Sequence, residues 1–143
     1  MMGGSQIAKS LNRQMTTRLF IYGTLKRGDC RAPLLADAAY LGQAVTTPRY
    51  KLYTHGPYPA LVEAAAIGQP GLAIHGELYE VDDATLARLD EEEGVDEGLY
   101  ERRDIALHDG GVGVQAYFYL RPVDGMTDCE ERWVVDQDQE RLP

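Results

Sequence analysis

The interpretation of the fold is decided by the stretch Phe20-Ile21-Tyr22-Gly23-Thr24-Leu25-Lys26-Arg27-Gly28. This stretch predicts a strand that ends abruptly in a glycine loop. The apolar, aromatic-rich run 18–22 predicts a buried strand. Gly23 permits a backbone turn that a side chain would obstruct. We therefore expect residues 24–28 to form a loop whose backbone can bind a small polar ligand.

A second informative stretch is a short helix pattern at residues 83–93. Asp82 is a suitable N-cap, and Gly94 is a typical helix stop. When residues are placed at about 100° per residue, Leu86 and Leu89 define one apolar stripe, and that stripe is expected to face the core.

Three consecutive glutamates end this helix, and only one of them lies on the apolar face. Glu93 falls between the two leucines, whereas Glu92 lies to one side and Glu91 on the far side. Burial and the helix dipole are both expected to disfavour the charged form of the Glu93 carboxyl group. A carboxyl group that holds its proton closer to neutral pH is suited to general acid–base chemistry. The alternative is a solvated helix end, or a carboxylate paired with one of three arginines: Arg88, Arg102 or Arg103.

The remaining patterns are mostly those of strands. We expect extended segments at 44–53 (interrupted by Pro48), 61–63, 72–81, 100–108 and 112–120. Residues 55–59 are expected to form a turn, and Asp109-Gly110-Gly111 a hairpin turn. A short helix is expected at 32–39. Gly76 indicates a close approach of two backbones. After Pro122, only 133–135 is expected to be structured. The pattern predicts an α+β fold with a mixed or barrel-like sheet.

Composition restricts the class of protein. A chain of 143 residues with 44% hydrophobic residues is expected to form one domain, at 15–135, between a flexible leader at 1–14 and a polar tail at 136–143. The net charge of −9 argues against nucleic-acid and anionic-membrane partners. Cys30 and Cys129 are expected to be reduced thiols of a cytoplasmic protein.

Several kinds of catalytic site are disfavoured. The only serines, Ser5 and Ser10, lie in the expected leader. The three histidines lack zinc-ligand spacing: His55, His75 and His108. Residues 23–28 have the frame of a phosphate loop, but Asp29 and Cys30 replace the lysine and hydroxyl that it requires. A Cys–His pair that uses Cys30 stays open, and otherwise we expect chemistry without metal, cofactor or enzyme nucleophile.

Four motifs occur in a recognisable order. They are Phe20 to Gly28 as quoted above, Gly56-Pro57-Tyr58-Pro59, Gly76-Glu77-Leu78-Tyr79, and Leu89-Asp90-Glu91-Glu92-Glu93-Gly94 followed by Tyr100-Glu101-Arg102. With them the chain resembles the γ-glutamylcyclotransferase-like (AIG2-like) family over about residues 19–120. The YGTLKRG form is most similar to the γ-glutamylamine cyclotransferases.

The resemblance implies a fold and an activity. The fold is a small mixed β-barrel with flanking short helices and a cavity at the YGTL loop. The activity is that of a cofactor-independent enzyme (a lyase or acyltransferase) that cyclises a small-molecule γ-glutamyl substrate and releases 5-oxoproline and an amine or amino acid. The catalytic glutamate of the family corresponds to Glu93.

The resemblance also gives expectations for substrate binding. Backbone N–H groups of three residues would bind the glutamyl carboxylate or the developing oxyanion: Gly23, Thr24 and Leu25. Tyr22 and Tyr100 are candidates for the pocket wall or for a hydrogen bond to the substrate, with core aromatics as the alternative. Tyr58 is a candidate for a rim over the leaving group, with a simple turn as the alternative.

The chain departs from the family pattern at three places, which bear on the choice of substrate. The sequence leaves open the leaving group, the physiological pathway and the oligomeric state. Arg31 stands where many relatives carry asparagine, and Glu92 stands where an aromatic residue is common. Residues 95–98 form a longer, acidic segment that would favour a cationic amine. The alternative functions are a non-catalytic binding or interaction module, and a γ-glutamyl hydrolase or transferase at the same pocket.

Overall fold

The computed structural model describes residues 16–22, 35–36, 38–55 and 58–130. These ranges contain the strands β1 (Thr16–Ile21), β2 (Ala39–Val45), β3 (Tyr50–His55), β4 (Tyr58–Glu63), β5 (His75–Asp82), β6 (Tyr100–Asp104), β7 (Val114–Tyr119) and β8 (Thr127–Asp128), the helix α1 (Asp83–Glu92), and a 3₁₀ turn at Ala64–Ile67. The expected leader and tail, the loop 23–28, the Cys30 thiol and the segment 133–135 lie outside the described residues.

The described strands form two sheets. The larger sheet has the order β2-β5-β1-β7-β6, and the smaller one has the order β4-β3-β8. The pairing of β1 with β7 is parallel and the other pairings are antiparallel. The α+β class and the mixed sheet are therefore confirmed.

The two edge strands of the larger sheet meet at one end. Beyond β2 and β6, the N–H of Thr47 donates to the carbonyl of Ala106 at 2.9 Å, and the N–H of His108 donates to the carbonyl of Val45 at 2.8 Å. The sheet therefore curls round at this end. Because β2 and β6 share no ladder along their length within the described ranges, the predicted closed barrel is not confirmed.

Strand β1 is buried on both faces because it is the central strand of the larger sheet. Leu19 and Ile21 face helix α1 and pack in a cluster with Leu89, whereas Phe20 and Tyr22 pack in a second cluster with the smaller sheet. This double burial explains the continuous apolar run in the sequence.

Helix α1 has the limits that its caps predict. The carboxylate of Asp82 accepts the N–H of Thr85 at 2.8 Å, and Glu93 is the C-cap residue. Gly94 follows with a φ of +70°, a left-handed conformation that favours glycine. No helix in the described part of the chain has the length and apolar character needed to cross a membrane.

Some predicted boundaries were wrong. Pro48 lies in a turn between β2 and β3, so the segment predicted at 44–53 belongs to two strands, and Pro59 belongs to β4 rather than to the preceding turn. The helix predicted at 32–39 is described only in part, and its last residue, Ala39, begins β2. Strand β8 was not predicted; it pairs with β3, and its Asp128 accepts a hydrogen bond from Lys51 at 2.6 Å.

Candidate active site

Glu93 lies level with the end of β1 because the helix α1, which follows β5, is about as long as the stretch of β5 beside which it returns. Asp82, which ends β5 and caps α1, lies opposite Thr16, and Glu77 lies opposite Ile21. Five residues of strand span about 17 Å, and ten residues of helix span about 15 Å. Helix α1 packs back against β5 and β1, so its last residues come level with the C-terminal end of β1.

Glu93 is the only one of the three glutamates that the fold buries. Its exposed fraction is 8%, whereas Glu91 and Glu92 are exposed. The helical-face prediction is therefore confirmed. Burial of a carboxylate carries a large desolvation penalty, which makes this position unusual for an acidic residue.

The three arginines considered as partners of Glu93 have other partners. The guanidinium of Arg102 binds Asp90, that of Arg103 binds Glu101 and Glu63, and that of Arg88 reaches Thr85. In the structure, the contacts found for these three guanidinium groups are therefore to other side chains.

Tyr22 lies near Glu93 at the point where β1 ends. Its side chain is 5% exposed, and its hydroxyl donates to the backbone carbonyl of Tyr117 at 2.6 Å. Burial holds the pKa of Tyr22 well above its ordinary value, and the nearby Tyr100 and Glu93 raise it further. Tyr22 is therefore within electrostatic range of both Tyr100 and Glu93.

Tyr100 reaches the same region from the first position of β6. It is 3% exposed, its ring packs edge-on against Tyr119, and its hydroxyl donates to the backbone carbonyl of Pro59 in β4. It therefore links the larger sheet to the smaller one within electrostatic range of Tyr22.

Tyr117 is a further buried tyrosine that the sequence analysis did not single out. Its hydroxyl donates to Asp90 Oδ1 at 2.7 Å, and burial together with this hydrogen bond raises its pKa. Strict alternation along β7 would bury Val114, Ala116 and Phe118 and leave Tyr117 on the other face. Three consecutive residues, Ala116, Tyr117 and Phe118, are buried instead, and the aromatic run at 117–119 is the signal in the sequence that is typical of burial on both faces.

A polar network fixes the last turn of α1 to the sheet. Arg102 donates to both carboxylate oxygens of Asp90, at 2.8 and 3.0 Å, and to the side-chain carbonyl of Gln115 at 2.7 Å. The hydrogen bond to Asp90 raises the pKa of Arg102. Since Asp90 also accepts from Tyr117, it joins three elements three residues before Glu93, and so sets the position of that carboxylate.

The structure thus brings together three of the predicted site residues, Glu93, Tyr22 and Tyr100. The predicted backbone donors lie outside the described residues: Gly23, Thr24 and Leu25. Tyr58 begins β4 opposite His55, and the side chain that would form the rim is also outside the described part. Among the described residues, no group of three histidine, cysteine or acidic side chains is placed to hold a metal ion.

Comparison with known families gives a match over most of the chain. The sequence profile described as Gamma-glutamyl cyclotransferase, AIG2-like matches residues 19–138. The match includes the last three residues of β1, all of α1 and Glu93, and it extends beyond residue 120, where the resemblance noted from the motifs ends.

Individual proteins agree with this match. The chain is 36% identical to the Gamma-glutamylcyclotransferase family protein ytfP of Citrobacter rodentium over 125 residues, 85% of this chain and 98% of that protein. It is 44% identical over 72 residues to a candidate γ-glutamylcyclotransferase of Vibrio cholerae, a match that spans 50% of this chain and 57% of the Vibrio protein. The solution NMR structure of ytfP from Escherichia coli superposes with a TM-score of 0.61 at 36% identity, covering 85% of this chain and 99% of that one.

Proposed function

The chain belongs to the γ-glutamyl cyclotransferase, AIG2-like family, and we propose that it converts a γ-glutamyl amine or γ-glutamyl amino acid into 5-oxoproline and the free amine, without a cofactor. One observation carries the proposal: the carboxyl group of Glu93 is buried and lies within electrostatic range of Tyr22, at the end of the strand that leads into residues 23–28. A carboxylate in such a position is suited to proton transfer in a site from which water is largely excluded.

In the proposed reaction, the substrate supplies its own nucleophile. The α-amino group attacks the γ-carbonyl carbon, a C–N bond forms, and a five-membered lactam closes. Glu93 accepts the proton that the α-ammonium group releases, and then returns a proton to the departing amine as the original amide bond breaks. No covalent bond to the protein is needed.

The remaining site residues would hold the substrate in its folded conformation. Orientation of a flexible chain for ring closure can contribute several kcal/mol to the rate. Backbone N–H groups of Gly23, Thr24 and Leu25 are proposed to bind the α-carboxylate or the developing oxyanion. Tyr22 and Tyr100 already donate their hydroxyl hydrogens to backbone carbonyls, so we propose that their rings form the wall of the pocket.

The test is the detection of 5-oxoproline by mass spectrometry after incubation with γ-glutamyl amines, γ-glutamyl amino acids and glutathione. Glu93→Gln is compared with Glu92→Gln, because the two substitutions remove the same charge from adjacent residues, one buried and one exposed. We expect Glu93→Gln to lower kcat by about 100-fold or more, and Glu92→Gln to retain activity within about twofold.

Each other outcome has a definite meaning. Product that persists in Glu93→Gln would remove Glu93 from the mechanism. Free glutamate in place of 5-oxoproline would indicate a hydrolase at the same pocket. Absence of product from every substrate, with a folded protein, would favour a non-catalytic binding module.

A further inference from the structure

One residue of β7 joins the two elements that carry the proposed site. The backbone carbonyl of Tyr117 accepts the hydroxyl hydrogen of Tyr22 at 2.6 Å, and the hydroxyl of Tyr117 itself donates to Asp90 Oδ1 at 2.7 Å. Tyr22 directly follows β1, and Asp90 lies in the last turn of α1. Because Tyr117 is only 3% exposed, its ring is held by close packing and links these two elements in one arrangement.

The carboxylate of Asp90 is held from one face of the larger sheet. Tyr117 and Arg102 are ladder partners in the pairing of β7 with β6, so their side chains leave the sheet on the same face. Arg102 donates to both oxygens of Asp90, at 2.8 and 3.0 Å, and its own position is fixed by Gln115 at 2.7 Å. The Asp90 carboxylate therefore accepts three hydrogen bonds, and the bidentate pair with the guanidinium group fixes its direction.

The position of Asp90 is transmitted to Glu93 through the helix. Residues three positions apart are neighbours on one side of a helix. Glu93 keeps this geometry as the C-cap residue, with φ −83° and ψ −3°, and its N–H donates to the carbonyl of Leu89 at 2.9 Å. Helix ends fray easily, and the helix stops at the next residue, Gly94. An anchor at Asp90 therefore restrains the turn from which the Glu93 side chain projects.

The Asp90–Arg102 ion pair also acts on Glu93 through its charges. The side chains of Arg102 and Asp90 are 28% and 25% exposed, so each charge acts more strongly than a fully solvated one would. Other ionisable side chains at this end of the molecule stay unchanged in the charge variants below: Tyr22 of β1, Glu77 and Tyr79 of β5, Glu91 and Glu92 of α1, Tyr100 of β6 and Tyr117 of β7. A change in the ionisation of Glu93 can then be assigned to the ion pair.

We propose that Asp90, Arg102 and Tyr117, which we call the Asp90 network, are positioning residues for Glu93. This role rests on the proposed cyclisation, in which the Glu93 carboxyl group accepts and returns the proton. Tyr117 keeps the end of α1 level with the end of β1, and the ion pair balances the charge beside the Glu93 carboxyl group. None of the three residues is proposed to contact the substrate.

Three substitutions test the network with the γ-glutamyl compound that the native protein converts fastest, and 5-oxoproline is the product measured. Tyr117→Phe removes one oxygen atom and keeps the ring and the backbone carbonyl, whereas Asp90→Asn and Arg102→Gln each remove one charge. We expect kcat per folded molecule to fall about fivefold in Tyr117→Phe and about 30-fold in the other two. KM should stay within about twofold, because the network acts on proton transfer and not on binding.

The pH dependence of kcat/KM separates this role from a merely structural one. Asp90→Asn leaves the cation of Arg102, which favours the charged form of the Glu93 carboxyl group, so the acid limb of the profile should move to lower pH. Arg102→Gln leaves the anion of Asp90, so the acid limb should move to higher pH. Each shift should be about half a pH unit or more. Loss of folded protein would lower the whole profile without moving the limb.

Glu101→Gln is the matched control. Its carboxylate accepts from Arg103, on the face of β6 opposite to Arg102, so the substitution removes one acid from a neighbouring arginine pair. We expect kcat to change by less than about twofold and the acid limb to stay in place.

The two proposals fail in different ways. If the native protein forms 5-oxoproline but the three variants match Glu101→Gln in kcat, or the acid limbs of Asp90→Asn and Arg102→Gln do not move in opposite directions, the positioning role is wrong and the cyclotransferase proposal stands. If the two charge variants do not fold, Tyr117→Phe decides: an unchanged kcat refutes the role, and a lower kcat at unchanged KM and Tm supports it. If no γ-glutamyl compound yields 5-oxoproline, both proposals are wrong.

Discussion

The hydroxyl of Tyr22 offers a quantitative test of how the candidate site is held together. Tyr22→Phe removes one oxygen atom from a side chain that is 5% exposed and leaves the ring in place. The backbone carbonyl of Tyr117 then loses a donor at 2.6 Å in a region that water does not reach. A buried polar group left without its partner costs about 1–3 kcal/mol, so we expect the free energy of unfolding at pH 8 to fall by about 1–2 kcal/mol.

The pH dependence gives this prediction a second, independent part. The folded-state pKa of Tyr22 is raised, mainly by burial, so the folded protein holds this proton where the unfolded chain releases it. The contribution of Tyr22 to stability is then complete below the unfolded pKa of about 10, and it declines at higher pH by up to about 1.4 kcal/mol per pH unit. Phenylalanine has no such loss, so the deficit of Tyr22→Phe should shrink above about pH 10.

Urea unfolding followed by fluorescence, at pH values from 8 to 11, measures both parts. Tyr119→Phe is the matched control, because this tyrosine is only half buried and no hydrogen bond of its hydroxyl is found within the described residues. We expect the control to change stability by less than about 0.5 kcal/mol. Equal effects of the two substitutions at pH 8, or a deficit of Tyr22→Phe that grows at alkaline pH, would refute the reasoning.

Two further substitutions test the backbone approach and the helix cap that position the site. Gly76→Ala should destabilise the fold by about 3 kcal/mol or more, because the new Cβ would lie 2.5 Å from the carbonyl oxygen of Ile21. Thermal melts measure this loss. The control, Gly111→Ala, should show no comparable loss, because the atom nearest to its new Cβ is a side-chain oxygen at 3.2 Å. Asp82→Ala should lower the Tm through loss of the cap on the Thr85 N–H. The hydrogen bonds from Thr85 lower the pKa of Asp82, so the difference in Tm should be complete at neutral pH and should disappear as the pH falls well below 4. A difference in Tm that persists at low pH would contradict the cap.

Features that depend on neighbouring residues could be predicted from the sequence. Helix α1 begins and ends where Asp82 and Gly94 indicate, because capping is a local interaction. With both ends fixed, the helical period alone determines that Glu93 faces inward and Glu92 outward. The close backbone approach at Gly76 was also predicted correctly, because a glycine within a strand pattern signals it locally, although the approaching residue, Ile21, is distant in the sequence.

Features that depend on distant pairing could not be predicted. β8 has only two residues, and it is a strand only because it pairs with β3, about 75 positions earlier. The role of Tyr117 depends on the parallel pairing of β7 with β1 and on a hydrogen bond to Asp90, 27 positions away. The aromatic run of β7 is a signal of burial on both faces, but it does not show which residue the helix-facing Tyr117 binds.

The same distinction explains why the proposed catalytic residue could be identified before its surroundings. The direction of Glu93 follows from local caps, but its depth depends on the network in which Arg102 and Tyr117 hold Asp90 one turn earlier. A helix held only by its caps could shift along the sheet, and a misplacement of about 1 Å can lower a rate about 100-fold. In the proposed reaction the substrate brings its own nucleophile, so accurate placement of the Glu93 carboxylate is the main contribution that we expect from the protein. We therefore expect the Asp90 network to be needed for the proposed chemistry, although none of its members is proposed to contact the substrate.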